Sequence, residues 1–484
     1  MLDGARVIDP ESGLDAVRAV GVRGGVIASV TEAPPPATTV VDATGLVLAP
    51  GFVDLHSHAQ DQVGMRLQAL DGVTTALELE AGGLPVATRY QRALDQGRPI
   101  NFGYSAGWQV GRMHLFDGVP LDGDALDIGL ANVHRPHWRR PAAPGDVDRL
   151  LDLLAREVAD GALGFGVLLG YAPDTDRSEY LALASLAASL GVPCWTHMRH
   201  TGMAGVTEVL AAAERTGAPI HICHLNSSSD RDTEEICAAI TEARAGGVRV
   251  TTEAYPYGAA STNIGAPFLS PEALAEQARP TTALTYLATG ERVADAARLR
   301  QLRSDDPGGL VIIDFLDEGN PAELDLLLRS LLLEDTVVAT DTMPIVDGGV
   351  RLAGDVWPVP PTARVHPRSA GGYARTFRWL VRELGVLSMM EAVRRCSLLP
   401  AQMLEPFVPA MRAKGRVKPG ADADLVLFDP DTVADRATYT EILPSAGIAH
   451  VLVNGQFVVR DHHLVPDAMP GRPIRAGRAP LDHF

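Results

Sequence analysis

Short apolar runs alternate with amphipathic stretches through most of the chain. The apolar runs predict eight strands, at residues 51–58, 73–80, 99–106, 162–170, 192–199, 219–226, 248–257 and 336–343. The stretches between them repeat apolar residues at helical spacing, as in DVDRLLDLLAREVAD at 146–160. Strands that are apolar along their whole length are typical of a parallel sheet with helices on both faces. Eight such units over roughly 350 residues predict an α/β fold, a (β/α)8 TIM barrel.

Both ends of the chain show a different pattern, in which short β runs are separated by turns. Residues 1–48 contain GVIASV and LVLAP, and the last part of the chain contains ADLVLFDP and AHVLVNGQFVV. Two β-rich ends around a different middle predict one small β-sandwich domain built from both termini. We place this domain at 1–48 plus 411–484 and the barrel domain at 49–410. The stretch 263–335 is long for a single crossover and predicts an insertion or lid.

The composition narrows the class of protein. The chain has 484 residues and a formal net charge of −18 at pH 7, which argues against nucleic-acid and anionic-membrane partners. Its four cysteines give no disulfide framework, and its amino terminus has no signal-peptide pattern. No apolar run approaches the ~20 residues of a transmembrane helix. These features predict a cytoplasmic protein that works without a membrane, and assembly into a homo-oligomer stays open.

Lysine is almost absent from the sequence. Lys414 and Lys418 are the two lysines, so nearly all of the 42 basic residues counted as Lys+Arg are arginines. Residues 1–413 therefore offer no P-loop lysine, no Schiff-base lysine and no lysine that could be carbamylated to bridge two metals.

Histidines mark the ends of several predicted strands, which is where a barrel of this kind carries its active residues. The first strand ends in DLHSH, so His56 and His58 lie two residues apart and share one face. Two imidazoles on one face at the barrel mouth form a bidentate metal site. A pair of surface histidines on a loop is the alternative interpretation.

Further candidate ligands stand at other strand ends. His197 ends the fifth strand, His224 the sixth and Asp341 the eighth. Together with the HxH pair they have the ligand chemistry of a hydrolytic zinc site with one or two ions, although manganese or iron would also suit them. His200 lies past its strand and His221 points away from the face of His224, so both are expected to be structural or to support a ligand.

Two carboxylates, Glu78 and Glu80, lie on one face near the end of the second strand. Buried carboxylates are costly unless a charged partner or a metal compensates them. Glu80, nearer the carboxyl end, is the candidate for a ligand that bridges two metals, and a salt bridge to an arginine is the alternative. Cys194 and Cys223 are expected to be buried core residues.

Together these motifs resemble the amidohydrolase superfamily and, within it, the N-acyl-D-amino-acid deacylases. The resemblance runs almost end to end and is carried by PGFVDLHSH, DGVTT, DGALGFGVLLGYAP, THMR, CHLN, EAYPY, HPRSAGGYARTFRWLVRELG, LPAQML, GRVKPGADADLVLFDP and GIAHVLVNG. It implies a barrel carrying a small β-sandwich, with zinc held by the strand-end histidines and aspartate. A cysteine after the second strand is a metal ligand in this family. The matching stretch here is LELEAGG, where Glu80 is the plausible replacement.

The resemblance also implies contacts to a substrate carboxylate. The matching positions are Tyr171 after the fourth strand, Tyr257 of the YPY motif, Ser261, and Arg368 of HPR. Packing at the barrel mouth would also explain the tyrosines, and a surface loop would explain the arginine. Asn226 stands where the family has a lysine. One cationic contact is therefore missing, so the substrate either lacks the expected acidic group or binds it mainly through Arg368.

The activity that the resemblance implies is hydrolysis of a linear amide bond by a metal-activated water. The substrate would be an N-acyl-D-amino acid or a similar small N-acyl compound, with Asp341 as the general base. The alternatives are a cyclic-amide hydrolase or a deaminase on the same scaffold, and a metal-free scaffold protein without activity. Cyclic-amide enzymes of the hydantoinase type are disfavoured because their bridging group is a carbamylated lysine.

Overall fold

The computed structural model describes residues 1–122 and 125–477. Five strands open the chain: β1 (Leu2–Asp9), β2 (Leu14–Arg23), β3 (Val26–Thr31), β4 (Val41–Asp42) and β5 (Val47–Pro50). Seven strands separated by helices follow: β6 (Phe52–Asp54), β7 (Val73–Gly83), β8 (Asn101–Gly107), β9 (Phe165–Leu168), β10 (Cys194–His197), β11 (Ile220–Ile222) and β12 (Val250–Ala254). The remaining strands are β13 (Ala259–Asn263), β14 (Leu284–Tyr286), β15 (Glu291–Arg292), β16 (Leu310–Asp314), β17 (Thr336–Val338), β18 (Val346–Asp347), β19 (Val350–Arg351), β20 (Leu425–Phe428), β21 (Ile448–Val453), β22 (Gln456–Arg460) and β23 (His463–Leu464).

Helices fill most of the crossovers between the strands. They are α1 (Gln62–Ala69), α2 (Val86–Gln96), α3 (Trp108–Asp117), α4 (Ala125–Asn132), α5 (Pro144–Ala159), α6 (Arg177–Leu190), α7 (Met203–Thr216), α8 (Leu225–Ser229), α9 (Thr233–Ala245), α10 (Pro271–Glu276), α11 (Ala296–Asp305), α12 (Pro321–Leu332), α13 (Arg368–Arg375), α14 (Met389–Val393) and α15 (Leu399–Leu404). Within the described residues, no helix is both long and apolar enough to cross a membrane.

Strands β6 to β12 and β17 form one eight-stranded parallel sheet, ordered as they occur in the chain. The first and last strands meet where Ser57 bridges Thr342 and the His58 amide donates to the Thr342 carbonyl at 2.8 Å, which closes the sheet into a barrel. Ala76 belongs to one apolar cluster while its neighbour Leu77 belongs to another. Both faces of the sheet are therefore buried, which explains the unbroken apolar runs. The predicted fold class is confirmed.

The two ends of the chain pair in a second, nine-stranded sheet, as the β-rich termini predict. Its strand order is β23-β22-β21-β20-β5-β1-β2-β3, with β4 paired to β1. The seam between the ends is the antiparallel pair of β5 and β20, in which Leu48 stands opposite Leu427. Both residues are fully buried in a core of their own. The predicted domain boundaries stay a prediction, and residues 478–484 of the predicted range lie outside the described residues.

The predicted insertion is a small folded unit between β12 and β17. Strands β13 to β16 form an antiparallel sheet in the order β13-β16-β14-β15. Its core includes Leu284, Leu299 and Val311, none of which is exposed to solvent. Residues of this unit, such as Phe268 and Ile313, line a cavity together with His197 and His224 at the carboxyl ends of the barrel strands.

A polar network joins the terminal sheet to the amino ends of the barrel strands. Lys414 Nζ donates to Asp424 at 2.6 Å and to Asp422 at 2.9 Å. The side-chain amide of Asn101, the first residue of β8, donates to the Asp424 carboxylate at 2.8 Å, and the backbone amide of Asn454 donates to the same carboxylate at 2.6 Å. The amide side chains of Asn454 and Asn101 also bond to each other at 2.9 Å. We call these five residues the lysine joint.

Candidate metal centre

Six polar side chains meet at the carboxyl ends of the barrel strands. They are His56, His58, Glu80, His197, His224 and Asp341, the residues predicted as metal ligands. They stand at or just beyond the ends of β6, β10, β11 and β17, and near the end of β7. Because the sheet closes on itself, residues from distant parts of the sequence come within hydrogen-bonding distance of one another.

His56 and His58 point their Nε2 atoms at the same place. These two nitrogens are 3.1 Å apart. Each also lies close to Asp341 Oδ1, at 3.6 Å for His56 and 3.5 Å for His58. The two residues share a face because side chains two positions apart on an extended chain point the same way. Three lone-pair donors therefore converge on one small volume.

Glu80 lies between this first group and a second one. Its Oε2 is 3.3 Å from His56 Nε2. Its Oε1 is 2.8 Å from His224 Nε2 and 3.1 Å from His197 Nδ1. The two histidine nitrogens of this second group are themselves 3.0 Å apart. Each oxygen of one carboxylate thus faces a different pair of imidazoles.

Asp341 is held by an arginine and by an unusual backbone conformation. Its Oδ2 accepts from Arg368 Nη2 at 2.8 Å, and its carbonyl accepts from Arg368 Nε at 2.8 Å. Asp341 has φ of +51° and His224 has φ of +36°, both in the left-handed region that non-glycine residues rarely adopt. Such conformations cost on the order of 1–3 kcal/mol and cluster at functional sites.

An outer layer of carboxylates fixes the far side of the HxH pair. Glu78 Oε2 is 2.7 Å from His58 Nδ1, and Glu253 is hydrogen-bonded to His56 Nδ1. Glu253 also lies 3.2 Å from His221 Nε2, so His221 supports a ligand indirectly, within the expectation for it. A carboxylate on Nδ1 places the ring proton there and leaves Nε2 free as a metal ligand.

Glu253 was not found from the sequence. The available signal was a single carboxylate inside the apolar seventh strand, VTTEAYP, where an unpaired charge would be costly. Cys194 and Cys223 are buried, as expected for core residues. Cys223 also lies beside His56 and Glu253, close enough for its sulfur to share a ligand cluster with them.

The ionisation of the site reflects a concentration of negative charge. Burial lowers the pKa of His58, but Glu78 and Asp341 outweigh burial and raise it to about 10. Burial raises the pKa of Glu80, yet His56, His224 and His197 bring it well below its ordinary value. Burial raises the pKa of Asp341, but the positive charge of Arg368 outweighs burial and the pKa is lowered overall. The carboxylate therefore stays ionised. The site therefore stabilises positive charge, as protons or as a metal ion that displaces them.

The donor set fits a divalent transition metal. Two groups of three have all their ligand atoms within 4.8 Å of one another: His56, His58 and Glu80, and Glu80, His197 and His224. Imidazole nitrogens with carboxylate oxygens are the ligands of catalytic zinc sites. The arrangement offers two adjacent positions that share Glu80.

A cavity of about 430 Å³ opens over these side chains. Among the predicted substrate contacts, Tyr171 and Ser261 line it. The Tyr171 hydroxyl is 2.5 Å from Thr262 Oγ1 and its ring packs 5.1 Å from the His197 ring. The Ser261 hydroxyl donates to the Val311 carbonyl at 3.0 Å.

The structure does not bring the other predicted substrate contacts to this cavity. Arg368 is fully buried behind Asp341. Tyr257 lines a separate cavity of about 730 Å³, under the guanidinium of Arg375. Tyr255, the other tyrosine of the YPY motif, is the one that packs against Arg368, with its ring 4.4 Å from the guanidinium carbon. Asn226 bonds to the backbone of both tyrosines and offers no charge.

Comparison with known proteins gives consistent relatives along the whole chain. The profile of the Amidohydrolase family matches residues 39–114. An N-acyl-D-glutamate deacylase from Alcaligenes xylosoxydans xylosoxydans is 30% identical over 98% of this chain and 96% of its own length. A D-aminoacylase from the same organism is 25% identical over 94% and 93%.

A solved structure agrees with these relatives. The crystal structure of an N-acyl-D-glutamate deacylase from Bordetella bronchiseptica, complexed with zinc and a phosphonate that mimics the tetrahedral intermediate, superposes with a TM-score of 0.77. It is 26% identical, and the match covers 98% of this chain and 99% of that one. A crystal structure of D-aminoacylase matches with the same TM-score at 23% identity, which supports the fold.

Proposed function

Because the chain belongs to the N-acyl-D-amino-acid deacylases of the amidohydrolase family, we propose that the six converging side chains are its metal centre. The protein is a metal-dependent hydrolase that cleaves a linear amide bond in a small N-acyl substrate. Its finer chemistry follows from the residues at the barrel mouth.

Glu80 carries the proposal for a two-metal site. One metal position is formed by His56, His58 and Asp341, and the other by His197 and His224. Glu80 completes both, since each of its oxygens faces one of the two groups. Zinc is the proposed metal, on the ligand types and on the zinc in the related crystal structure. A zinc ion lowers the pKa of water to about 7 and polarises a carbonyl when bound at such a site.

Asp341 is the proposed general base. Its Oδ2 is engaged by Arg368, so Oδ1, which faces the histidines, is the oxygen that takes a proton from water. The low pKa that Arg368 imposes keeps the carboxylate ionised before the reaction begins. The same oxygen can then deliver that proton to the leaving amine.

The proposed substrate contacts are Tyr171 and Ser261 at the cavity wall, together with Arg368. Arg368 Nη1 has no hydrogen-bond partner among the described residues, but the side chain is fully buried, so a substrate carboxylate would reach it only if the residues in front of it moved. Its first task is to hold Asp341. Tyr257 was proposed from the sequence for the same role, and Tyr255 is the tyrosine beside Arg368 that should be tested with it.

A substrate panel on metal-loaded protein tests this function. N-acetyl-D-amino acids, cyclic imides and aminopurines are compared, with free D-amino acid, ring opening and ammonia as the respective readouts. We expect hydrolysis of the N-acetyl-D-amino acids. Turnover confined to the cyclic imides or to the aminopurines would favour the alternative enzymes, and purified protein that binds no transition metal would favour a scaffold protein.

Metal counting tests the bridging role of Glu80. Glu80→Gln removes one anionic oxygen and should lower the number of bound zinc ions from two to one or fewer. Glu157→Gln is the matched control, because Glu157 is also buried and accepts a hydrogen bond from the backbone amide of Val86 outside the site. An unchanged metal count in Glu80→Gln would contradict the bridge.

A further inference from the structure

The outer wall of the cavity is supplied by the insertion between β12 and β17. Phe268, Leu269, Ile313 and Phe315 line the cavity from this unit. Phe268 extends the wall to the metal centre, with its ring 5.7 Å from the His197 ring and 5.3 Å from the Tyr171 ring. A substrate group on this side meets aromatic and aliphatic carbon.

Two arginines are the only permanently cationic side chains that line the cavity within the described residues. The first, Arg199, already has an internal anion. Its Nε lies 3.0 Å from Glu208 Oε2, and its Nη1 donates to the Thr175 carbonyl at 2.8 Å. Its side chain is 3% exposed. Arg199 therefore has its counter-ion inside the protein, and its Nη2, which has no hydrogen-bond partner among the described residues, is buried.

Arg279 is the second arginine, and acidic groups surround it. Its Nη1 donates to the Asp314 carbonyl at 2.7 Å, and its Nη2 lies 3.5 Å from Asp230 Oδ1. Asp230 lines the same cavity, as does Glu276. A negatively charged side chain on the substrate would meet these carboxylates, and each of the two arginines already faces a carboxylate of the protein. Burying a charge without a partner is strongly unfavourable.

The register of the insertion tells which part of the substrate this wall meets. Ser261, a proposed contact to the substrate carboxylate, is on β13, where Ala260 pairs with Ile313. The carboxylate and the side chain of an amino acid are attached to the same carbon. The nitrogen that bears the acyl group is attached to this carbon as well, and the acyl carbonyl belongs at the proposed metal centre. With the carboxylate at Ser261, the amino-acid side chain is the substituent left to face the insertion.

We infer that the substrate is an N-acyl-D-amino acid with an uncharged, apolar side chain, which packs against Phe268, Ile313 and Phe315. This inference rests on the proposed function and narrows it. It separates this protein from relatives whose names specify acidic amino acids, N-acyl-D-glutamate and N-acyl-D-aspartate.

The test compares kcat/KM of the zinc-loaded protein for the N-acetyl derivatives of D-leucine, D-methionine, D-phenylalanine, D-glutamate and D-aspartate. We expect at least one apolar substrate to exceed both acidic ones by about tenfold or more. Equal or better use of D-glutamate or D-aspartate would overturn the inference and leave the proposed function standing. Absence of hydrolysis for all five would instead contradict the proposed function.

Two variants locate the preference in the wall. Phe268→Ala should reduce kcat/KM for the large apolar substrates by roughly 10–100-fold and that for N-acetyl-D-alanine by much less, because it removes apolar contact area. Phe268→Leu keeps part of that area and should fall between. Metal content and the thermal melting temperature are measured in parallel, since Phe268 packs on His197. An equal loss for large and small substrates would contradict a side-chain pocket here.

Arg279→Gln is the companion variant. Of the two arginines at this cavity, it removes the one with the more exposed side chain, 13% against 3% for Arg199. We expect the preference for apolar over acidic substrates to change by less than about threefold. A selective loss of D-glutamate hydrolysis in Arg279→Gln would show that the arginine recognises acidic side chains and would overturn the inference.

Discussion

The barrel carries a buried charge cluster at each end, and the two clusters are built differently. In the lysine joint at the amino end, the charge of Lys414 meets Asp422 and Asp424, and two asparagine amides take up the remaining carboxylate positions. In the proposed metal centre at the carboxyl end, imidazole nitrogens and carboxylate oxygens face one another, as in the 2.8 Å approach of His224 Nε2 to Glu80 Oε1.

This difference separates a structural cluster from a ligand-binding one. The lysine joint contains its own cation, so donors and acceptors are matched without any added group. The proposed metal centre gathers lone pairs in excess of internal cations, and the surrounding carboxylates raise the pKa values of two of its histidines, His56 and His58. The two clusters differ in the source of their positive charge. In the lysine joint it is the side chain of Lys414, whereas the other cluster needs bound protons or a metal ion.

Substitution of Asp341 should have the largest effect. Asp341→Asn keeps the shape but removes the base, so kcat should fall by about 10²–10⁴-fold while zinc stays bound. Asp422→Asn makes the same chemical change in the lysine joint and should leave kcat of the folded protein unchanged. Steady-state kinetics and metal analysis measure both. Retention of most activity in Asp341→Asn would contradict the role of Asp341 as the general base.

Removal of the internal cation tests the other side of the comparison. Lys414→Met leaves the buried carboxylate of Asp424 without its cation, beside the partly exposed carboxylate of Asp422, and should lower the free energy of unfolding by about 3–5 kcal/mol. Lys418→Met is the control, since that lysine is 48% exposed in its pair with Glu11 and should lose at most about 1 kcal/mol. Denaturant unfolding gives both values. Equal losses of unfolding free energy in Lys414→Met and Lys418→Met would contradict the structural role of Lys414.

The outer carboxylates should have a smaller effect than the ligands they hold. Glu253→Gln weakens the bond to His56 Nδ1 and should lower zinc affinity by roughly 10–100-fold. Thr251→Val removes the next bond outward, from the Thr251 hydroxyl to His221 Nδ1 at 2.8 Å, and should cost less. Competition with a chromogenic chelator measures the affinities. A larger effect for Thr251→Val than for Glu253→Gln would reverse the proposed order of support.

The smallest expected effect is a dependence of stability on alkaline pH. Burial lowers the pKa of Lys414, but Asp424 and Asp422 raise it above its ordinary value of 10.5 overall. A raised pKa in the folded state means that the stabilisation is fully present below pH 10.5 and is lost as the pH rises through the folded-state pKa. Unfolding free energies of the parent protein should therefore fall more steeply above pH 10.5 than those of Lys414→Met. Parallel curves would contradict this.

Much of the fold and the ligand set could be predicted because both depend on strand ends. The apolar runs locate the barrel strands, and parallel strands bring their carboxyl ends together. The sequence alone therefore predicts that five residues lie close together: His56, His58, Glu80, His197 and His224. Glu253 was not predicted because its contact with His56 depends on how close β12 and β6 come in the closed barrel. Which of Tyr255 and Tyr257 packs against Arg368 depends on the direction in which the chain turns after β12. The spacing of the two tyrosines in the sequence does not determine that direction.

The seam between β5 and β20 has a consequence for how the protein is made. Leu48 and its partner Leu427 are separated by most of the chain. At translation rates of ~5–20 residues per second, the first strands wait about 20–80 s for the strands that complete their sheet. During that time the apolar side chains of β1 and β5 are left uncovered on the nascent chain. The sheet that joins the two ends of the chain can therefore be completed only after the barrel strands have been synthesised.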